Sequence, residues 1–154
     1  MNNQIVFPIT DKKFVSELIP QKFPFVMIDK LLSFSESEIV SGFKIVGENI
    51  FVEKDVFQES GLIEHMAQSV ALYTGFQYFL KKEQAPVGYI GSIKTVEILR
   101  LPKLGEDIQT TVHIIQEFMG VTLVEISSKI NNIDSLLFGT NKIKPKRLFY
   151  PHMG

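Results

Sequence analysis

The chain has 154 residues, 45% of them hydrophobic and 21% charged, the balance of a globular protein with enough apolar mass to bury one core. A formal net charge of -1 supplies no broad basic surface for neutralising phosphates, so nucleic acid is not an expected partner. The absence of cysteine excludes disulfide scaffolds, thiolate metal sites and cysteine nucleophiles.

The opening MNNQIVFPITDKK has no basic segment followed by an apolar one, so no secretory signal is read there and the expected location is the cytoplasm. Asp11 is placed to cap a short helix over 12–18, and Pro20 ends it because the residue before a proline disfavours the α region. Residues 31–46 put Ile39, Ser41, Phe43 and Ile45 on one side and Val40, Gly42 and Lys44 on the other, the alternation of a hairpin with its turn near Glu36.

Residues 58–80 carry the long helical pattern, with Ser60 as the expected N-cap and Lys81 and Lys82 at the end, where the helix dipole favours cations. Its length alone would cross a bilayer. Glu64, His65, Gln68, Ser69 and Gln77 interrupt it, however, and a charge at mid-membrane costs about 3 kcal/mol. The pattern therefore reads as a buried helix of a globular protein and not as a membrane span.

Beyond Pro86 strands are expected at 88–100, 107–118, 121–130 and 136–143, with turn signals between them at 104–107, 119–120 and 131–134. Residues 144–154 read as a C-terminal extension on the surface or on a second subunit. No internal repeat or linker divides the chain, so residues 1–154 are taken as one domain. A hairpin, one long helix and then a run of strands lacks the strand-helix alternation of a parallel sheet. The expected fold class is α+β, an antiparallel sheet wrapped around the helix. Ala67, Ala71 and Gly75 stand four residues apart, a small-residue stripe onto which sheet backbone can close.

Three stretches resemble, in order, the 3-hydroxyacyl-acyl-carrier-protein dehydratases of the FabZ and FabA type. Residues 18–30, LIPQKFPFVMIDK, resemble the family's LLPHRYPFLLVDR, and 63–68, IEHMAQ, resemble its helix signature LEAMAQ. Residues 88–94, GYIGSIK, with LRLP at 99–102 and GED at 105–107, resemble its strand and KRPVxPGD turn. The resemblance runs from Leu18 to Ile130. It implies a hotdog fold, a homodimer or a heterodimer with a second hotdog protein, and elimination of water from a 3-hydroxyacyl chain held on acyl carrier protein, with no cofactor and no metal. The family also uses a histidine in a GHFP motif before the helix. Here the corresponding segment 49–58, NIFVEKDVFQ, has no histidine. In this it is similar to the divergent dehydratase-like proteins of aryl-polyene and flexirubin pigment clusters, whose helix reads IEYMAQ.

Glu64 is the expected catalytic group. A carboxylate one turn into an apolar helix loses several kcal/mol of solvation unless paired or protonated, and the resemblance makes it the acid/base for the substrate's 3-hydroxyl. The bland alternative is an acidic residue stabilised by the helix N-terminus. Gln68, four residues on and on the same face, is assigned a supporting and chiefly anchoring role. His65 lies about 100° around the helix from Glu64, so it is a packing histidine or acts across a dimer interface. His113 falls on a solvent-facing strand side and His152 in the tail, with no metal-ligand spacing among the three.

Backbone N–H groups near Ser60 and Gly61 suit a thioester carbonyl. Lys94 and Arg100 suit the acidic carrier and the phosphate of its phosphopantetheine arm. Gly91, in the resembling strand segment, completes the expected substrate contacts. Two other readings accompany dehydration: a hotdog acyl thioesterase, and a non-catalytic acyl-binding subunit of a heteromeric dehydratase.

Overall fold

The structure is a computed structural model and describes residues 4–86, 88, 92–131 and 148–151. Helix α1, Lys12–Glu17, starts where Asp11 Oδ1 accepts hydrogen bonds from Lys13 N (3.0 Å) and Phe14 N (3.3 Å), satisfying two of the donors that a helix start leaves over. Strands β1, Lys30–Phe34, and β2, Glu38–Lys44, form the first hairpin, with Glu36 between them. A small second hairpin follows, β3, Val52–Glu53, with β4, Val56–Phe57. Lys54 and Asp55 form its turn at φ 50 and 63.

Helix α2, Glu59–Leu80, begins directly after that hairpin. Its N-cap is Gln58, in extended conformation and with no side-chain capping bond, not Ser60. Ser60 is the type of residue that caps, but the β3–β4 hairpin fixes where the chain turns helical, two residues earlier. The Gln58 amide donates instead to Val56 O at 3.0 Å, which ties the helix start to that hairpin.

The remaining strands are β5, Ser92–Ile93, β6, Asp107–Phe118, β7, Val121–Asn131, and β8, Leu148–Pro151. They join β1 and β2 in one six-stranded sheet of order β1-β2-β6-β7-β8-β5, antiparallel at every pair. Strands β6 and β7 are a long hairpin closed at Met119 and Gly120, with φ 50 and 74.

Two expectations need correction here. Among the described residues the strand read over 88–100 pairs at Ser92 and Ile93, with Phe149 and Leu148. Alternation of side chains suits a strand, but residues 94–100 lie in none. Residues 148–151, read as part of a C-terminal extension on the surface or on a second subunit, form a strand between β7 and β5. The strand expected at 136–143 lies outside the described residues.

The core is the inner face of β2, β6 and β7 against α2. Ile39, Phe43, Ile108, Val112 and Ile126 cluster there with Leu62, Val70, Leu72 and Phe76, all buried. Each such side chain contributes about 2 kcal/mol on leaving water. At Gly75 the stripe of small helix residues receives backbone from the turn after α1. A Cβ built on Gly75 would lie 1.8 Å from Leu18 O, so the turn after α1 closes onto the helix at a position without a side chain. Among the described residues no helix is long and apolar enough to cross a membrane.

Candidate functional site

The first turns of α2 are packed under the segment before them. A Cβ on Gly61 would sit 2.5 Å from Phe51 Cβ and 2.6 Å from Phe57 Cε1, so this position takes only glycine while the two aromatics stay in place. Gly61 is buried and Ser60 is exposed.

One turn on, Glu64 is half-buried and its Oε1 accepts a hydrogen bond from Gln68 Nε2 at 2.8 Å. The same Nε2 donates to Phe25 O at 2.7 Å, and Gln68 Oε1 accepts from Met27 N at 2.6 Å. The fully buried amide thus staples the 25–27 segment to the helix and uses one donor to hold a carboxylate oxygen. Among the described residues Glu64 Oε2 has no hydrogen-bond partner. A carboxylate fixed at one oxygen and open at the other can exchange a proton with a substrate hydroxyl brought to it.

His65, next in sequence, is 0% exposed. Its Nδ1 lies 2.6 Å from Met27 O and its Nε2 2.7 Å from Thr110 Oγ1. A carbonyl only accepts, so Nδ1 carries the proton, and Nε2 of the neutral ring then accepts from the Thr110 hydroxyl. Thr110 Oγ1 in turn lies 2.6 Å from Ser128 Oγ, which is left to donate to it. Burial drives the imidazole pKa down to about 4, opposed by the Met27 hydrogen bond and by Asp29. Phe43 stacks on the ring, with centroids 6.0 Å apart. Above it Ser69 Oγ donates to His65 O at 2.8 Å and meets Ser41 Oγ at 2.6 Å. His65 is therefore the packing histidine of the two readings, its ring polar groups spent inside the core.

Thr110, Ser128, Ser41 and Ser69 were not singled out from the sequence as partners of His65. The signal was present: Ser41, Thr110 and Ser128 occupy inward phases of strands otherwise filled by Ile, Val and Phe.

Among the described residues none of the other expected groups is hydrogen-bonded to the Glu64 carboxylate. Arg100 is bound two-fold to Glu106, at 2.9 and 3.2 Å, and Glu106 also accepts from Lys103 N at 2.8 Å. The Arg100 guanidinium is thus tied into the 100–106 turn. Lys94 is exposed. His113 is exposed and its Nδ1 lies 3.1 Å from Glu38 Oε2, as a solvent-facing strand position requires. Gly91 and His152 lie outside the described residues. Among the described residues no three of His, Asp and Glu converge as metal ligands.

A single long helix wrapped by an antiparallel sheet defines a hotdog-fold protein. Among solved structures the dehydratase heterocomplex ApeI:P from Xenorhabdus doucetiae superposes with a TM-score of 0.76 at 15% identity, over 97% of this chain and 93% of that one. The E. coli PaaI protein of the phenylacetic acid degradation operon gives 0.59 at 12% identity, over 80% and 78%. These likenesses show the fold.

In sequence the chain is 26% identical over 133 residues to the 3-hydroxyacyl-[acyl-carrier-protein] dehydratase FabZ of Vibrio cholerae, covering 79% of this chain and 86% of that protein. The FabZ of Oceanobacillus iheyensis is 26% identical over 112 residues, covering 69% and 78%. The family model for ApeP-like proteins, described as ApeP dehydratase, matches residues 14–140, and the chain belongs to this family.

Proposed function

We propose that this chain takes part in dehydrating 3-hydroxyacyl thioesters carried by acyl carrier protein, with Glu64 as the group that protonates the departing 3-hydroxyl. The observation that carries it is the Gln68 clamp, which holds one oxygen of Glu64 at 2.8 Å and leaves the other to the substrate. In the reaction the C2–H bond gives its proton to a base, the electron pair forms the C2=C3 bond, and the C3–O bond breaks. The hydroxyl leaves as water with the proton from Glu64. N–H groups at Ser60 and Gly61 are assigned to the thioester oxygen. Gly91 is assigned to the bound chain and Lys94 to the acidic carrier, in the cytoplasm.

The base for C2 is not His65, whose two nitrogens are held by Met27 and Thr110. That observation favours a two-chain site in which a second hotdog subunit supplies the base. The neighbour from Xenorhabdus doucetiae is itself a heterocomplex. Homodimer and heterodimer are separated by assaying the chain alone and mixed with a second hotdog chain, using 3-hydroxyacyl and enoyl thioesters on carrier protein. We expect reversible hydration without free thiol, at full rate only in the mixture. Glu64→Gln is expected to lower the rate by about 100-fold or more. Full activity in that variant would remove Glu64 from the mechanism, and release of thiol as the sole reaction would replace dehydration with hydrolysis.

A further inference from the structure

A groove of about 590 Å³ opens on the side of the molecule between α1, the 22–29 segment and the end of β2. This falls within the size range of small-ligand sites, roughly 300–1,000 Å³. Glu64 does not line it. Its floor is apolar, built from Val26, Ile28 and Phe43, and Phe23 stands at its mouth 93% exposed. A phenyl ring so bare to water gains by being covered.

The rim is cationic. Lys12, Lys13 and Lys44 line the groove, and among the described residues none of their ammonium groups has a carboxylate partner. Lys22 also lines it, but its Nζ donates to Ser16 O and Ile19 O, both at 2.9 Å, and so is anchored to the end of α1. Two acidic groups oppose them. Asp29 is already engaged, with Lys30 Nζ at 2.8 Å and the backbone N–H of Lys44 at 3.2 Å, which leaves Glu48 against three free lysines.

We infer that this groove binds a linear anionic amphiphile, its hydrocarbon chain on the Val26–Ile28–Phe43 floor and a phosphate or carboxylate head among Lys12, Lys13 and Lys44. The charge sits on the rim of the same groove that holds the apolar floor, so the head belongs directly on the chain. That distinguishes a free lipid-like anion from the acyl-pantetheine arm of a carrier, where a long spacer separates phosphate from chain. The site is independent of the dehydratase reading, because Glu64 is no part of it and its test needs no turnover.

The test is calorimetric titration of the whole chain with dodecyl phosphate below its micellar concentration, beside dodecyl maltoside and inorganic phosphate. One equivalent of dodecyl phosphate is expected to bind, at least about tenfold more tightly than the neutral-headed chain or the head alone, and more weakly as salt rises. The double variant Lys12→Glu, Lys44→Glu should lose about tenfold or more for the anionic probe and nothing for the maltoside. Val26→Asp should lose binding of both chains, with folding of each variant checked by circular dichroism. Equal affinity for charged and neutral heads, or full affinity in the lysine variant, would overturn the proposal. So would displacement of dodecyl phosphate by dodecanoyl-pantetheine phosphate, which would assign the groove to the carrier arm.

Discussion

Two faces of the first turns of α2, one residue apart in sequence, treat their polar groups in opposite ways. On the His65 face both ring nitrogens and the backbone carbonyl are hydrogen-bonded within the protein, through Met27, Thr110 and Ser69, and nothing is open to water. On the Glu64 face one carboxylate oxygen is held by Gln68 and the other is not, and the side chain reaches the surface. A polar group that is completely satisfied fixes the packing of a core. One that is half satisfied retains capacity for a partner from outside. Chemical type would rank the histidine above the glutamate as a catalyst, and the hydrogen-bond inventory reverses that order.

The comparison is broken most directly by the activity of Glu64→Gln. The expected loss of about 100-fold in dehydration corresponds to roughly 3 kcal/mol of barrier, and it should come with little change in urea-unfolding stability. A stability loss of the same size would make Glu64 a structural residue like its neighbour. The converse variant is His65→Leu, which leaves the Met27 carbonyl and the Thr110–Ser128 pair without the ring. It should cost about 2–4 kcal/mol in unfolding free energy.

Acid should act on the His65 face. The folded pKa of about 4 lies below the ordinary 6.5, so between these values the unfolded chain takes up the proton and the folded one does not. This contribution is fully present above pH 6.5 and is lost progressively as the pH falls toward 4. The drop from 6.5 to about 4 corresponds to roughly 3 kcal/mol. In His65→Gln, which keeps a neutral side chain there, the part is absent, so the stability gap between wild type and variant should narrow as the solution is acidified. A gap independent of pH would show that the ring is not held neutral.

The smallest of these effects is expected at Gln68, which serves both ends of the contrast. Gln68→Leu removes the bonds to Met27 N and Phe25 O together with the clamp on Glu64. It should cost about 2 kcal/mol in unfolding free energy. A fall in activity beyond the folded fraction then measures how much positioning the clamp supplies.

Much of this architecture was legible in the residues. The first hairpin and the β6–β7 pair carry apolar side chains at the right period, the long helix shows as an apolar run too long for a strand, and Asp11 capped α1 as its type and place suggest. What escaped was set by tertiary partners. Ser60 has the right chemistry for a cap, but the β3–β4 hairpin starts the helix at Gln58. Residues 94–100 alternate well enough for a strand, but the chain takes no strand conformation there. Strand β8 was hidden by the charged, proline-containing stretch before it and by Pro151 at its end. At the candidate site, the i, i+4 spacing of Glu64 and Gln68 put them on one face, as the structure has them. The commitment of Arg100 to Glu106 involved a turn whose shape no local pattern specifies.

The β6–β7 hairpin has a further meaning for how the chain folds. Its two strands are joined by Met119 and Gly120 alone and stay in register from Phe118 with Val121 out to Asp107 with Asn131, apart from one bulge near Ile115. Closing so short a loop costs little chain entropy, and hairpins of this kind form in about 1–10 μs. Pairing β2 with β6, by contrast, brings Lys44 to Asp107 across the whole of α2. The local hairpin can therefore stand as a template before the helix is enclosed, and the slow step of folding falls on the long-range ladder that brings Ser41 and Thr110 together over His65.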